Sequence, residues 1–505
     1  SVQNSNTHQI NASLNLQDLY NYVGLVQKKN NSAGKSIQER SRGIPTLGPP
    51  SEEDEEIEEK AKPKSNKGHN TLIGIATGLK TFQVNYRNSR GIFLPGYTES
   101  VGFMGTFRPT AGFTFGFQDD IRQMAAERGW LTLFQNFNQQ FSAVKNEQLD
   151  YQAGFGFIPD LTIELTGRKN EAENYSENYR VDPVSMDYQS LTPYTYGNFN
   201  ISTLLIATSF QQSNEASSEA FQNFRANRIE VARRIASERG LDPTDVDEEG
   251  FPRGIGKTNQ AVLLPAFIAA YSGKDAESIQ LGAFRNVPIP NWNLKYTGLM
   301  RFEWFRDKFR RFSINHGYRA DYTLNQYQTN LDYDPADPEA LNQAGDFKNT
   351  VLFSNLVLTE LFTPLALIDF ETKNSIQIMA KMEKDRSLAF SFDNNLLTEY
   401  SGNEYTLGLG YRLRDLKIAT ALGGRRRVLS SDLNFRTDVS YRKNRTIVRY
   451  LDLANNQTIS GQDIWSINFK ADYAFTRNLT ARFYYDHTFS EYAVSTAFPA
   501  ASPAS

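Results

Sequence analysis

The sequence predicts an all-β protein, a run of antiparallel strands from a transmembrane β-barrel with helical insertions between some of them. Three observations carry that reading. Strict alternation of apolar and polar residues persists from Trp465 to Phe475 and in several other segments, over lengths that a soluble strand of about 5–6 residues does not need. Aromatic residues reach 13%, with 35 Phe and 25 Tyr, while the hydrophobic fraction is only 39%, which suits a thin apolar surface better than a thick core. A spanning helix needs about 18 consecutive apolar residues, and the best run, Ala261 to Tyr271, is far shorter and carries Pro265.

Taken in order, residues 1–29 read as a strand and a short helix, and 30–70 as a disordered loop. That loop is rich in Lys, Ser, Pro and Glu around SEEDEEIEEK, too polar to bury a core and without the glycine-punctuated spacing of a calcium loop. Residues 71–118 read as barrel strands and 119–146 as a helical insertion. Strands resume over 147–213, turning at Ile158-Pro159-Asp160. A second helical insertion covers 214–286, where Phe221, Phe224, Ala232, Ile235 and Ala236 fall near a 3.6-residue period.

Over 287–331 strands return: Phe312, Ile314, His316, Tyr318, Ala320, Tyr322 and Leu324 alternate with Ser313, Asn315, Arg319, Asp321 and Asn325. An acidic loop fills 332–347, and 348–499 is strand again, with short turns at Phe362-Thr363-Pro364 and Thr476-Arg477-Asn478. Tyr405, Leu407, Leu409, Tyr411 and Leu413 alternate with glycine and arginine; Leu433, Phe435, Val439 and Tyr441 with Asp432, Asn434, Arg436 and Asp438; Leu479, Ala481, Phe483 and Tyr485 with Thr480 and Arg482. Residues 500–505 read as a truncated end, and the opening residues carry no export signal, so the chain is expected to belong to a longer exported protein. Roughly a dozen strands are expected, above the minimal eight of a membrane barrel.

In such a barrel one phase faces lipid and the other the lumen. The polar phase gives the candidate lumen-lining residues Arg319, Asp321, Arg436, Asp438, Asn468, Lys470 and Asp472. Few residues suggest other chemistry. Cysteine is absent, which excludes thiol catalysis and thiolate metal sites. A net charge of −3 and a pI near 6.0 exclude a generally basic, nucleic-acid-coating surface. Gly254-Ile255-Gly256-Lys257-Thr258 resembles the end of a phosphate-binding loop, but Phe251 stands where its first glycine belongs. The histidines His8, His69, His316 and His487 show no metal spacing; a barrel hydrolase assembling His316 or His487 with Ser and Asp across strands is the enzyme reading. Arg425-Arg426-Arg427 is a basic cluster suited to lipopolysaccharide phosphates, an acidic partner or plain solvation.

The segments ELTGRKNEAENYSENYRVD (Glu164 to Asp182), NQAVLLPAFIAAYSGKD (Asn259 to Asp275), VPIPNWNLKYTGLMRF (Val287 to Phe302), FSINHGYRADYTLNQY (Phe312 to Tyr327), EYTLGLGYRLRDLK (Glu404 to Lys417) and FYYDHTFSEYAVSTAFP (Phe483 to Pro499) resemble the C-terminal part of the SprA/Sov family. That family supplies the outer-membrane translocon of the type IX secretion system, which also supports gliding motility. The resemblance implies a bacterial outer-membrane location and a share in a single-chain barrel of about 36 strands. It implies as partners secreted cargo proteins with type IX signals, a PorV-type outer-membrane barrel protein, a periplasmic plug protein and the lipid and lipopolysaccharide of the membrane, with no nucleic acid. No catalytic, cofactor or metal site is expected, and the insertions around Ser217 and over Asn259 to Asp275 are expected to form a mouth or docking element. The alternatives are a plugged-barrel nutrient transporter of the TonB-dependent type, another outer-membrane assembly porin, or a soluble adhesin stalk.

Overall fold

The computed structural model describes residues 1–25, 77–100, 107–420, 427–453, 456–476 and 479–493. The acidic stretch over 30–70, the basic pair Arg425-Arg426, the turn residues 477–478 and the end beyond 493 lie outside the described residues.

Residues that alternate over such lengths present two chemically different faces as strands, so they pair side by side rather than coil. All the described strands join one antiparallel sheet of fourteen. They are β1 (Val2–Asn15), β2 (Leu79–Leu94), β3 (Phe141–Phe155), β4 (Leu161–Val181), β5 (Tyr188–Ser202), β6 (Asn291–Tyr296), β7 (Phe309–Thr329), β8 (Val351–Phe353), β9 (Asn355–Thr372), β10 (Ile376–Ser391), β11 (Leu396–Thr420), β12 (Arg427–Tyr450), β13 (Asn456–Thr476) and β14 (Leu479–Tyr492). Neighbours in sequence are neighbours in the sheet, except that short β6 pairs with both β4 and β7, and β8 flanks β7. Among the described residues β1 and β14 are the borders, each paired on one side.

The helices lie in the connections: α1 (Leu16–Tyr22) after β1, α2 (Ala111–Thr114) and α3 (Arg122–Glu127) between β2 and β3, α4 (Glu219–Glu238) and α5 (Gln260–Ser272) between β5 and β6, and α6 (Glu303–Lys308) before β7. Ser218 starts α4 by accepting a hydrogen bond from the Phe221 amide, and the helix buries Phe221, Phe224, Val231, Ala232 and Ile235. α5 is apolar all round and buried along its length from Val262 to Tyr271, closing on Gly273 in the left-handed region at φ 67°. No helix among the described residues is long and apolar enough to cross a membrane.

Register makes one apolar band out of many strands. Met382, Tyr405, Tyr441, Trp465 and Phe489 lie in one cross-strand row, and Ala380, Leu407, Val439, Ile467 and His487 in the next. In the half of the sheet from β1 to β3 the same face carries a row of Leu14, Phe82 and Ala153 and one of Ala12, Val84 and Tyr151; β6 connects the halves by pairing Leu294 with both Ile163 and His316. Many of these side chains are open to the surroundings, Leu407 and Leu409 by 49% and 48% and Phe483 by 62%. Along β11 the band runs nine residues, from Tyr405 to Leu413, roughly 30 Å of strand.

The same face continues beyond the band, and there it is covered. Leu388 and Phe390 share the phase of Ile378 on β10, and Leu397 that of Leu407 on β11; these positions pack under α4 and α5 with Leu356, Leu358, Tyr322 and Phe199. A second cover, the connection between β2 and β3, packs Tyr97, Phe113, Ile121 and Leu131 on Leu94, Phe141 and Tyr179. Both covers sit at the end opposite the short turns after β3 and β9.

The structure corrects several sequence expectations. The helical insertion over 119–146 is helical only at α3; Gly129, at φ 69°, follows it closely, and Phe141 already pairs with Glu177 as strand. The described residues 95–100 and 107–118 form a connection that holds the short helix α2 rather than barrel strand, and 203–213 belong to the second insertion. Phe362-Thr363-Pro364 is no turn. It lies inside β9 at a bulge, because Met382 pairs with Ala366 and Lys384 with Phe362, setting three residues against one where Pro364 has no amide to donate.

Candidate functional site

All seven candidate residues project from the face opposite the band. Phase requires it: Arg436, Asp438, Asn468, Lys470 and Asp472 are the residues between Phe435, Val439, Ile467, Phe469 and Tyr473. Register brings five of them together on β12 and β13, with Asp438 opposite Asn468 and Arg436 opposite Lys470. Arg436 bonds Asp438 at 2.9 Å, and Asp472 pairs with Arg482 of β14 at 2.7 Å. Arg319 and Asp321 lie apart from these on β7, beyond β9, β10 and β11. Arg319 meets Asp321 at 2.9 Å and Arg168 of β4 meets the same carboxylate at 3.2 Å.

This polar face is hollowed. A trough of about 590 Å³ runs over β1 to β4 and β7, lined by Asn11, Gln83, Asp150, Thr166, Arg168 and Arg319. A smaller hollow of about 120 Å³ lies over β7 and β9 to β12, between Arg311, Asp369, Gln377, Gly408, Arg436 and Asp438. Its floor depends on glycine: a Cβ at Gly408 would stand 2.5 Å from Asp438 Oδ1. Sequence reading missed the largest cluster here, Arg442 with Asp385 at 3.1 Å, Glu404 at 3.0 Å and the Tyr400 hydroxyl at 3.0 Å. Arg442 was legible in phase with Arg436 and Asp438, but its partners come from β10 and β11. Many cations and anions across the face thus answer one another, while Arg168 and Arg319 share the one Asp321 carboxylate and Lys470 stands opposite Arg436.

On the opposite face, charge occurs where the band gives way to the covers. Arg386 meets Glu360 at 2.9 Å and also donates to the carbonyl and hydroxyl of Thr208, both at 3.0 Å. Glu360 accepts from Ser209 and Tyr318 as well. Arg449, fully buried, meets Glu399 at 2.9 Å and donates to Ser213 and Asn214. These pairs pin the segment before α4 to β9 through β12. In sequence they show as charges in the apolar phase, Arg386 two residues from Leu388 and Glu399 two from Leu397.

The remaining candidates find local partners. The Gly256 amide donates to Asp346, and Lys257 pairs with Glu249 at 2.7 Å, so one amide and the lysine that would hold a phosphate are already engaged. Burial, followed by the nearby Asp247 charge, pushes the Asp346 carboxyl above the usual aspartate range against the opposing pull of that amide. His316 bonds the Leu365 carbonyl at 2.7 Å beside Trp292 and Phe362, while His487 stacks on Tyr485 at the β14 border. Neither imidazole has a hydroxyl nucleophile or a carboxylate among these partners. No cluster of three metal-ligating side chains occurs among the described residues.

Comparison with known proteins adds no relative: no protein-family model matches the chain, and no curated protein matches it significantly.

Proposed function

We propose that the chain forms part of the wall of an outer-membrane β-barrel, its band facing lipid and its polar face lining a hydrated conduit for proteins. The observation that carries this reading is the band itself. An apolar row of Tyr, Leu, Phe, Trp and Ile crosses the sheet from β1 to β14 on one face, backed by charge on the other; its side chains stand exposed on β1, β11, β13 and β14 and are half-buried over β2 to β7. Monomeric proteins in water rarely leave so large an apolar surface bare. Tilted by about 35–45°, nine strand residues reach roughly the 25 Å height of a barrel's lipid-facing band. Trp465, Tyr441 and Tyr405 edge it on one side and Tyr411, Phe435 and Tyr473 on the other, where aromatic residues anchor to interfaces.

Within that class, the resemblance of Glu164 to Asp182, Phe312 to Tyr327 and Phe483 to Pro499 favours the type IX secretion translocon. Cargo proteins with type IX signals, a PorV-type barrel and a periplasmic plug are then the partners. The polar face of mixed charge suits a passage that must let folded proteins slide without holding them. The docking role of the insertions rests on α4 and the loops around it, since α5 is buried along its length. Deleting the gene that encodes this chain is expected to remove type IX cargo from the medium and accumulate it in the periplasm, as read by mass spectrometry of both fractions. Normal secretion with loss of nutrient uptake would replace the translocon with a transporter.

A further inference from the structure

The edge of the band is not uniform in charge. On β3 and β4 the cations next to it are neutralised: Lys145 meets Glu171 at 2.9 Å and Lys169 meets Glu171 at 3.4 Å. On β10 to β12 they are not. Lys384, Asn403 and Lys443 form one cross-strand row, two residues beyond the row of Met382, Tyr405 and Tyr441. Two strand spacings separate the lysines, roughly 10 Å, so both ammonium groups can reach one headgroup. The nearby acids are engaged elsewhere: Glu360 holds Arg386, and Asp463, directly opposite Lys443, holds Arg445 at 2.8 Å. Among the described residues neither lysine has a carboxylate within ion-pair distance. Lys384 lies instead 4.8 Å from the centre of the Phe210 ring, which is itself 60% exposed.

Resting on the membrane reading above, we propose that Lys384 and Lys443 bind the phosphate of an anionic lipid in the leaflet on the side of the α4 and α5 cover. Tyr405, Tyr441 and Trp465, with the Tyr441 and Trp465 rings 4.7 Å apart, form the apolar ledge beneath the headgroup. Phe210 walls the site on the side of the helical cover. The occupant follows from charge complementarity continuous with the band: two unpaired cations stand at headgroup height over an aromatic edge.

The test uses the full chain in detergent, titrated with phosphatidylglycerol or phosphatidylcholine and read by native mass spectrometry. The wild type is expected to prefer phosphatidylglycerol. The double substitution Lys384→Ala and Lys443→Ala should weaken that preference about 30-fold, at roughly 1 kcal/mol per cation near an anionic surface. Lys145→Ala should leave it unchanged. Equal preference in the double variant, or an equal loss in Lys145→Ala, overturns the proposal. A bilayer-inserted chain showing either result keeps the membrane reading, whereas a chain that does not insert loses both.

Discussion

Arg386 and Glu360 meet where both side chains are buried, 9% and 1% exposed. Removing one member of such a pair leaves the other charge buried and unanswered. Arg386→Ala is therefore expected to cost about 3–5 kcal/mol, seen as a lower thermal unfolding temperature in detergent. A smaller side chain decides another position. The Tyr151 ring lies over Gly167 on the neighbouring strand, and a Cβ there would stand well inside van der Waals contact. Gly167→Ala should destabilise by about 1–3 kcal/mol, and most of that loss should vanish when Tyr151→Ala is already present. Asp346 gives a pH signature. Its carboxyl titrates above the ordinary aspartate value because burial penalises the charged form. The stabilisation from this group is complete below the unfolded value near 3.9 and is lost as pH rises through the higher folded value. Unfolding temperatures should accordingly fall less between pH 4 and neutrality in Asp346→Asn than in the wild type.

At the scale of elements, α5 holds the outer cover together. Phe267 packs with ring centroids 5.3 Å from Phe224 and 5.6 Å from Phe390, so it joins α4 and β10. Phe267→Ala should cost about 3–5 kcal/mol and expose the linker before α4 to limited proteolysis, while leaving the distant β12 to β14 hairpins protected. The strands most legible in the sequence are those whose two faces keep one character along their visible length, such as β13 from Trp465 to Tyr473. β3 and β4 were harder. Their band face passes from Leu149 and Tyr151 through Glu147, Lys145, Lys169 and Glu171 to the covered Phe141 and Tyr179, so no single period spans the strand. The same change of surroundings hid the true extent of the 119–146 connection. The polar-face residues were legible by phase, whereas their partners were not: Arg442 finds Asp385 57 residues away through registers that alternation alone does not fix.

Over the whole molecule the decisive property is the opposition of the two faces, and the absence of cysteine allows it to be read position by position. Single substitutions Ile467→Cys, Phe469→Cys and Leu407→Cys in bilayers should resist a water-soluble maleimide and report lipid when spin-labelled. Asn468→Cys and Lys470→Cys should react freely. Reaction without alternation would make the sheet a water-exposed wall and remove the conduit reading. The helical cover has a mechanical consequence for such a wall. Because α4 and α5 pack on the same face as the band and just past its edge, they form a flange over β7 to β12, whereas among the described residues β14 carries none. A membrane of the wrong thickness could not be met by sliding the wall along its normal; on the flanged sector the lipid itself would have to thin or thicken, and the strain would fall unevenly around the perimeter.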